Sequence, residues 1–182
     1  MDTGSDIVWV AKKGSTDSVK ITNHFDPSSS TTCRNTEVKF AQGYGSGNCS
    51  GIYYLDNVRY INNKPFQLKF GVASTTNFND DEADGIIGLS KYYEDYTQSF
   101  ISMLYNGNIT TSKMFSFKFS PINYDAKGTF YIGKHDDFSK PETTSCNLLD
   151  DTPYEKLLWA CEMTGMNLEL DGKTANSSGS FY

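Results

Sequence analysis

The stretch Asp2-Thr3-Gly4-Ser5-Asp6-Ile7-Val8-Trp9-Val10 sets a carboxylate in a glycine-containing turn directly in front of an apolar strand. The glycine admits backbone geometry that a Cβ would forbid, and its N–H can approach the acid closely. The hydroxyls of Thr3 and Ser5 can orient that carboxylate and favour its ionised form. Asp2 is therefore a candidate catalytic acid, although the same triplet also occurs as a turn that only caps a neighbouring element.

Downstream of this stretch, short apolar runs alternate with turn residues, which is typical of β-strands. The glycine-rich segment Tyr44-Gly45-Ser46-Gly47 lies between two strand-like runs and predicts the tip of a β-hairpin. Asp84 to Leu89 reads as a short buried strand bounded by glycines. The longest helical pattern covers Ser99 to Tyr105, and Asn106-Gly107 ends it.

The composition excludes several classes of protein. The chain has 182 residues and a formal net charge of −6, with 37% hydrophobic and 21% charged residues, so it is neither a disordered tail nor a membrane protein. Its Lys and Arg residues are scattered, which argues against nucleic acid as a partner. No apolar run approaches the roughly 18–20 residues that span a bilayer. The sequence predicts one β-rich globular domain or lobe.

Four cysteines favour an oxidising compartment: Cys33, Cys49, Cys146 and Cys161. Three disulfide connectivities are open to them, and the sequential pairing is the most economical because each bond would join neighbouring strands of one hairpin. Loops of this size contribute about 3 kcal/mol each in the chain-entropy model. His24 and His135 lie at no ligand spacing to the cysteines, so we expect no zinc site, no other metal and no cofactor.

Three N-glycosylation sequons also favour the secretory route: Asn48-Cys49-Ser50, Asn108-Ile109-Thr110 and Asn176-Ser177-Ser178. Met1 is followed directly by Asp2, without the apolar region of a signal peptide. Either the protein is cytosolic or the chain lacks its natural N-terminus. We expect a secreted glycoprotein or one of the lysosome or vacuole.

Three motifs in one order, Asp2-Thr3-Gly4, Tyr44 to Gly47 and Asp84 to Leu89, resemble the N-terminal lobe of pepsin-like aspartic proteases. Several further segments resemble the same lobe: Phe25 to Thr31, Phe70-Gly71, Gly128 to Gly133 and Leu168 to Gly172. The likeness covers nearly the whole chain. It implies an all-β, mostly antiparallel fold with few short helices, in which residues 1–182 form a single lobe that is truncated at both ends and stops where the C-terminal lobe begins.

The resemblance also implies the chemistry. In these enzymes two aspartates share one proton and a water, and the ionised aspartate activates the water against a peptide carbonyl. Asp2 would be one of the two. Gly4 and Thr3 would support the active-site loop, with the Thr3 hydroxyl buried between two such loops, and Ser5 would hydrogen-bond the Asp2 carboxylate. Peptides or proteins would be the substrates.

A flap over the substrate follows from the same resemblance. Tyr44 would be the flap tyrosine, and the indole of Trp9 would bond its hydroxyl. Three residues, Gly45, Ser46 and Gly47, would let the flap open and donate to the substrate main chain. Phe78 and Ile86 would line a hydrophobic side-chain pocket. A simpler interpretation of Tyr44 is an exposed aromatic at a hairpin tip, and of Trp9 a plain core residue.

One departure from the family pattern matters most. No second Asp-Thr-Gly or Asp-Ser-Gly occurs in the 182 residues, and a single aspartate cannot form a shared-proton pair. The simplest interpretation is a fragment of a monomeric two-lobed protease, inactive alone, whose missing partner is its own C-terminal lobe. A homodimer of the retroviral protease type is an alternative. A catalytically dead pepsin-like protein that binds peptides or inhibits other enzymes is another.

Other nucleophilic schemes have less support. The chain has no Gly-x-Ser-x-Gly segment for a serine hydrolase and no phosphate-binding glycine loop. Gln42 followed by Cys49 is only a faint likeness to papain-like proteases.

Overall fold

A computed structural model of the chain describes residues 1–17, 21–61, 64–78, 83–91, 99–119, 128–134, 145–149, 152, 158–170 and 173–181. The largest unit in it is a five-stranded sheet. Its strands are β1 (Val8–Asp17), β2 (Arg34–Tyr44), β3 (Gly47–Val58), β4 (Phe66–Phe78) and β5 (Gly85–Ile87). The remaining elements are α1 (Phe100–Asn106), β6 (Phe115–Lys118), β7 (Thr129–Ile132), β8 (Met163–Leu170) and β9 (Lys173–Phe181). A single-turn 3₁₀ helix covers Pro27–Ser29.

The strand order in the sheet is β2-β3-β4-β1-β5. All neighbours pair antiparallel except β1 and β4, which run parallel, with Trp9 opposite Gly71. Two separate antiparallel hairpins, β6-β7 and β8-β9, follow later in the chain. The fold is therefore all-β and mostly antiparallel with little helix, as expected for a pepsin-like lobe.

The sheet buries an apolar cluster on each face. Because successive side chains of a strand point to opposite faces, Val8 and Trp9 in β1, like Val72 and Ala73 in β4, belong to different clusters. The larger cluster lies under α1 and includes Phe66, Leu68, Phe70, Leu89, Phe100 and Leu104. The smaller cluster lies behind the β2-β3 hairpin and includes Phe40, Cys49 and Phe78.

Local sequence signals predict the hairpin and the helix correctly. Strands β2 and β3 are joined by the two residues Gly45 and Ser46, as the glycine-rich tip predicts. Helix α1 begins one residue later than predicted, because Ser99 is its N-cap and accepts a hydrogen bond from the Ser102 N–H. The helix ends where the Gly107 N–H donates to the Met103 carbonyl.

The sequential disulfide pairing is half right. Cys146 and Cys161 are bonded, whereas Cys33 and Cys49 are free thiols. The hairpin register explains the error, because Cys49 lies opposite Gln42, and Cys33 precedes β2, whose first residue lies opposite Leu55. Six residues of strand, about 20 Å at about 3.3 Å per residue, separate Cys49 from Leu55. A disulfide requires Cα atoms within about 7 Å of each other.

Candidate active site

The turn that carries Asp2 leads directly into β1. The Oδ1 atom of Asp2 accepts a hydrogen bond of 3.0 Å from the Gly4 N–H. A Cβ on Gly4 would lie 3.4 Å from the same oxygen, an ordinary van der Waals distance, so this contact alone does not require glycine. Asp2 itself is half-buried, and its carboxylate remains accessible from one side.

The segment from β5 to Ser90 fixes this turn through backbone hydrogen bonds. The Asp2 N–H donates to the Ile87 carbonyl at 2.9 Å, and the Leu89 N–H donates to the Asp2 carbonyl at 2.7 Å. The Ser90 N–H donates to the Ser5 carbonyl at 2.9 Å. A Cβ on Gly88 would lie 2.6 Å from the Ser5 carbonyl oxygen, so only glycine fits between these two segments. The position of Asp2 is thus set by residues more than eighty positions downstream.

One expectation for the neighbours of Asp2 is not met, and another stays a prediction. Ser5 is 3% exposed, and among the described residues its Oγ lies near the Tyr44 hydroxyl without making a hydrogen bond of normal geometry to any group, Asp2 included. Thr3 is exposed, and the contact between two active-site loops that the family resemblance implies for it stays a prediction.

Tyr44, the last residue of β2, bends over the pocket and is tied to β1. The indole Nε1–H of Trp9 donates to the Tyr44 hydroxyl at 2.9 Å. Both rings pack on Phe78, with centroids 5.8 Å away for Trp9 and 5.6 Å away for Tyr44. Burial raises the pKa of Tyr44 to about 12, although the hydrogen bond from Trp9 favours the ionised form. The Tyr44 hydroxyl therefore stays protonated at any pH at which the protein would work.

Six of the predicted residues line one cavity of about 390 Å³, whereas five do not: Thr3, Gly4, Ser5, Gly45 and Gly47. Asp2, Trp9 and Tyr44 line it together with Phe78 and Ile86, which are the two candidates for a hydrophobic side-chain pocket. Its remaining lining residues are Met1, Ser46 and Ala83. The arrangement places one carboxylate and one hydrogen-bonded phenol at the wall of a cavity that also contains the apolar side chains of Phe78 and Ile86.

The flap glycines have different roles. No described atom lies within 4 Å of the place where a Cβ on Gly45 would stand, so this position is open to movement. A Cβ on Gly47 would lie 2.1 Å from the Asn77 carbonyl oxygen, so Gly47 is needed for close pairing of β3 with β4. The free motion that we expect of the tip is therefore confined to Gly45 and Ser46.

The sequence does not predict which residues support the site from the loop in front of β5. Ala83 lines the cavity, and Asp84 anchors the neighbouring loop by accepting hydrogen bonds from the Thr22 N–H at 2.8 Å and the Asn23 N–H at 3.0 Å. These hydrogen bonds hold the pKa of Asp84 below its usual value. The sequence signal for this segment is the glycine-bounded run after Asp84. That run does not indicate which other segment of the chain it contacts.

Metal chemistry has no structural basis in the described ranges, where no three His, Cys, Asp or Glu side chains are grouped to hold an ion. Asp6 is half-buried beside the active-site turn, and burial raises its pKa. It does not line the cavity that contains Asp2. His135 and the turn Asp171-Gly172 lie outside the described residues.

Comparison with known proteins relates the chain to one family. The family model described as eukaryotic aspartyl protease matches residues 1–180. The chain is similar to gastricsin from Oryctolagus cuniculus, with 33% identity over 139 residues, which is 72% of this chain and 36% of the relative. It is also similar to aspartic protease 6 from Caenorhabditis elegans, with 33% identity over 97 residues, or 50% of this chain and 25% of the relative. Mucorpepsin from Rhizomucor pusillus is 41% identical over 59 residues, which is 31% of this chain and 14% of the relative. The chain thus spans about a third or less of the length of these relatives.

Proposed function

The chain belongs to the eukaryotic aspartyl protease family, and on that basis we propose that it is the lobe of an aspartic endopeptidase that carries one catalytic aspartate and the flap. Residues 1–182 act as a single N-terminal lobe, and Asp2 is its catalytic residue. The second aspartate comes from a C-terminal lobe that completes a monomeric enzyme. The substrate is a peptide or protein.

One observation carries this proposal: the hydrogen bond between Trp9 and Tyr44 closes a cavity that also contains Asp2. The contact that stabilises both rings also places them at the wall of the cavity next to Asp2. The Gly4 N–H donates to the Asp2 carboxylate and orients it. An ionised Asp2 then accepts a proton from the attacking water as a second aspartate, kept protonated, donates to the peptide carbonyl.

The cavity suggests the class of peptide. Phe78 and Ile86 provide apolar walls next to Asp2, and Ser46 at the flap tip lies where an extended peptide would pass. An apolar side chain on one side of the cleaved bond would fit within the cavity of about 390 Å³. We therefore expect cleavage beside a hydrophobic residue at acid pH.

The secretory route is part of the same proposal. The Cys146–Cys161 disulfide is typical of an oxidising compartment, and the sequons are consistent with it. Within the described part of the chain, no helical segment has the length and apolar character that a membrane span demands. Export to the cell exterior, lysosome or vacuole is the destination that we propose.

The decisive experiment is peptide hydrolysis at acid pH by the chain and by its longer parent. The 182-residue chain alone is expected to cleave nothing, and the product of the extended reading frame is expected to cleave a peptide with a hydrophobic residue at the scissile bond. In that longer product, Asp2→Asn should lower kcat by about 10²–10⁴-fold, the range for loss of one positioned acid–base group.

Asp6→Asn is the matched control, because it removes a half-buried carboxylate four residues away without touching the cavity. Equal loss of activity in both variants would refute the role of Asp2. A second lobe with no aspartate at the matching turn would instead favour a peptide-binding or inhibitory protein, and pepstatin-sensitive cleavage by the isolated chain would favour a homodimer.

A further inference from the structure

The three sequons lie in different structural settings. Asn108 is exposed in the turn after α1 and has φ +54°, a conformation that asparagine tolerates better than most residues. Asn48 is exposed in β3 next to the flap tip. Asn176 lies in β9, where it pairs with Asn167.

The turn at Asn108 has a fixed backbone and an outward-facing asparagine. The Asn108 N–H donates to the Tyr105 carbonyl and the Ile109 N–H to the Leu104 carbonyl, both at 2.9 Å. Ile109 packs against the larger apolar cluster, so the turn cannot swing away from the body of the lobe. The asparagine amide therefore points from a rigid support into solvent, which suits a bulky polar attachment.

The two asparagines lie at opposite ends of β4. A Cβ on Gly107, next to Asn108, would lie 2.7 Å from Cβ of Phe66, the first residue of β4. Asn48 lies opposite Asn77, one residue before the end of the same strand. A strand of 13 residues is about 40 Å long at about 3.3 Å per residue. A glycan at Asn108 stands far from the cavity, whereas a glycan at Asn48 would stand beside the flap that must move over substrate.

Asn48 and Asn108 also differ in how early their surroundings fold. The β2-β3 hairpin forms from local contacts such as Gln42 opposite Cys49, and hairpins form in about 1–10 μs, much faster than a chain is synthesised. The Asn48 sequon is thus drawn into a strand early. The turn at Asn108 packs near Phe66, which is distant in sequence, so this packing forms later than the hairpin, and the Thr110 hydroxyl of the folded turn donates to the Ser112 carbonyl.

We propose that Asn108 carries an N-linked oligosaccharide and that Asn48 stays unmodified, an inference that rests on the secretory route in the proposed function. The donor is a lipid-linked oligosaccharide pyrophosphate of the secretory membrane. The amide Nδ2 of Asn108 loses a proton and forms a bond to the anomeric carbon of the sugar, and the lipid pyrophosphate leaves with the bonding electrons. The transfer precedes closure of the Thr110 turn.

The test is to express the whole chain behind a cleavable signal sequence in yeast and to map the glycans. Peptide N-glycosidase in ¹⁸O-water converts each glycosylated asparagine to labelled aspartate, which peptide mass spectrometry locates. We expect the label at position 108 and not at position 48. Asn108→Asp, which keeps a residue that tolerates positive φ, should remove the part of the glycosidase-sensitive gel shift that one glycan produces. Asn106→Asp makes the same charge change at an exposed asparagine outside any sequon and should leave the shift unchanged.

Signal removal and formation of the Cys146–Cys161 disulfide verify that the chain entered the secretory pathway. With entry verified, an unlabelled Asn108 or a labelled Asn48 would overturn the inference. Failure of the proposed route is a separate result: the native transcript would encode no leader, while the chain forced into the pathway would still be glycosylated at Asn108. Failure of the proposed enzyme activity appears only in the peptide assay.

Discussion

Replacing Tyr44 by Phe tests the contact on which the proposed site depends. The change removes one hydroxyl and keeps the ring, so the packing on Phe78 is retained. It leaves the Nε1–H of Trp9 without its acceptor, and Trp9 is only 1% exposed. A buried donor without a partner costs about 1–3 kcal/mol, so the free energy of unfolding should fall by that amount.

Removing the donor instead, by Trp9→Phe, lowers the free energy of unfolding for a different reason. The Tyr44 hydroxyl is half-buried and can turn to water when the donor is gone, so the loss of stability comes mainly from the smaller ring beside Phe78. Combining the two substitutions gives a double-mutant cycle. We expect a coupling free energy of about 0.5–1.5 kcal/mol, the usual net contribution of one hydrogen bond.

Urea unfolding followed by far-UV circular dichroism gives the three free energies without using tryptophan as the probe. Ser5→Ala is the matched control, because it also removes a hydroxyl near Tyr44 but one that makes no normal hydrogen bond in the described structure. It should leave stability unchanged or raise it slightly. A coupling free energy near zero, or equal effects of Tyr44→Phe and Ser5→Ala on the free energy of unfolding, would refute the proposal that this hydrogen bond holds Tyr44 against β1.

Three further predictions follow from the same contacts. Gly88→Ala should lower the free energy of unfolding by about 1–3 kcal/mol, because its Cβ would lie 2.6 Å from a backbone atom. Gly45→Ala should change the free energy of unfolding by less than about 0.5 kcal/mol, because its Cβ would point into open space. Urea midpoints measure both effects. Asp26 has its pKa lowered from 3.8 to about 2 by hydrogen bonds, first from Ser28, so its contribution is present above pH 3.8 and is lost as pH falls through 2. The melting temperature of Asp26→Asn should therefore fall less between pH 4 and pH 2 than that of the unsubstituted chain. In the native protein a thiol reagent should modify Cys33 and leave Cys49 unreacted until urea is added, because Cys49 is 1% exposed; rapid loss of two thiols without urea would contradict its burial.

Local patterns in this chain were readable from the sequence and long-range pairings were not. The hairpin tip Gly45-Ser46 and the cap of α1 at Ser99 depend on residues within a few positions of each other, so composition and spacing were sufficient. The parallel pairing of β1 with β4, with Trp9 opposite Gly71, joins strands about sixty residues apart, and no local signal indicates that partner.

The errors at the site have the same origin. A hydroxyl next to an Asp-Thr-Gly turn suggested a bond from Ser5 to Asp2, but the Ser5 Oγ lies near the hydroxyl of Tyr44, a residue about forty positions away in the sequence. The family resemblance identified Asp2, Tyr44 and Trp9 together, whereas the need for glycine at position 88 emerged only when its contact with the Ser5 carbonyl was known.

The free thiols of Cys33 and Cys49 remove one argument for an oxidising compartment, but they do not contradict such a compartment. The proposed pair Cys33–Cys49 no longer supports an oxidising compartment, so that support comes from Cys146–Cys161 and the sequons alone. A free thiol on a secreted protein would ordinarily be open to exchange or oxidation, because the thiolate is the reactive species. Burial raises the pKa of Cys49 to about 12, and burial together with Asp56 raises that of Cys33, so neither forms much thiolate at acid or neutral pH. Two unpaired cysteines are therefore compatible with the secretory route, and acid conditions protect them further by suppressing ionisation.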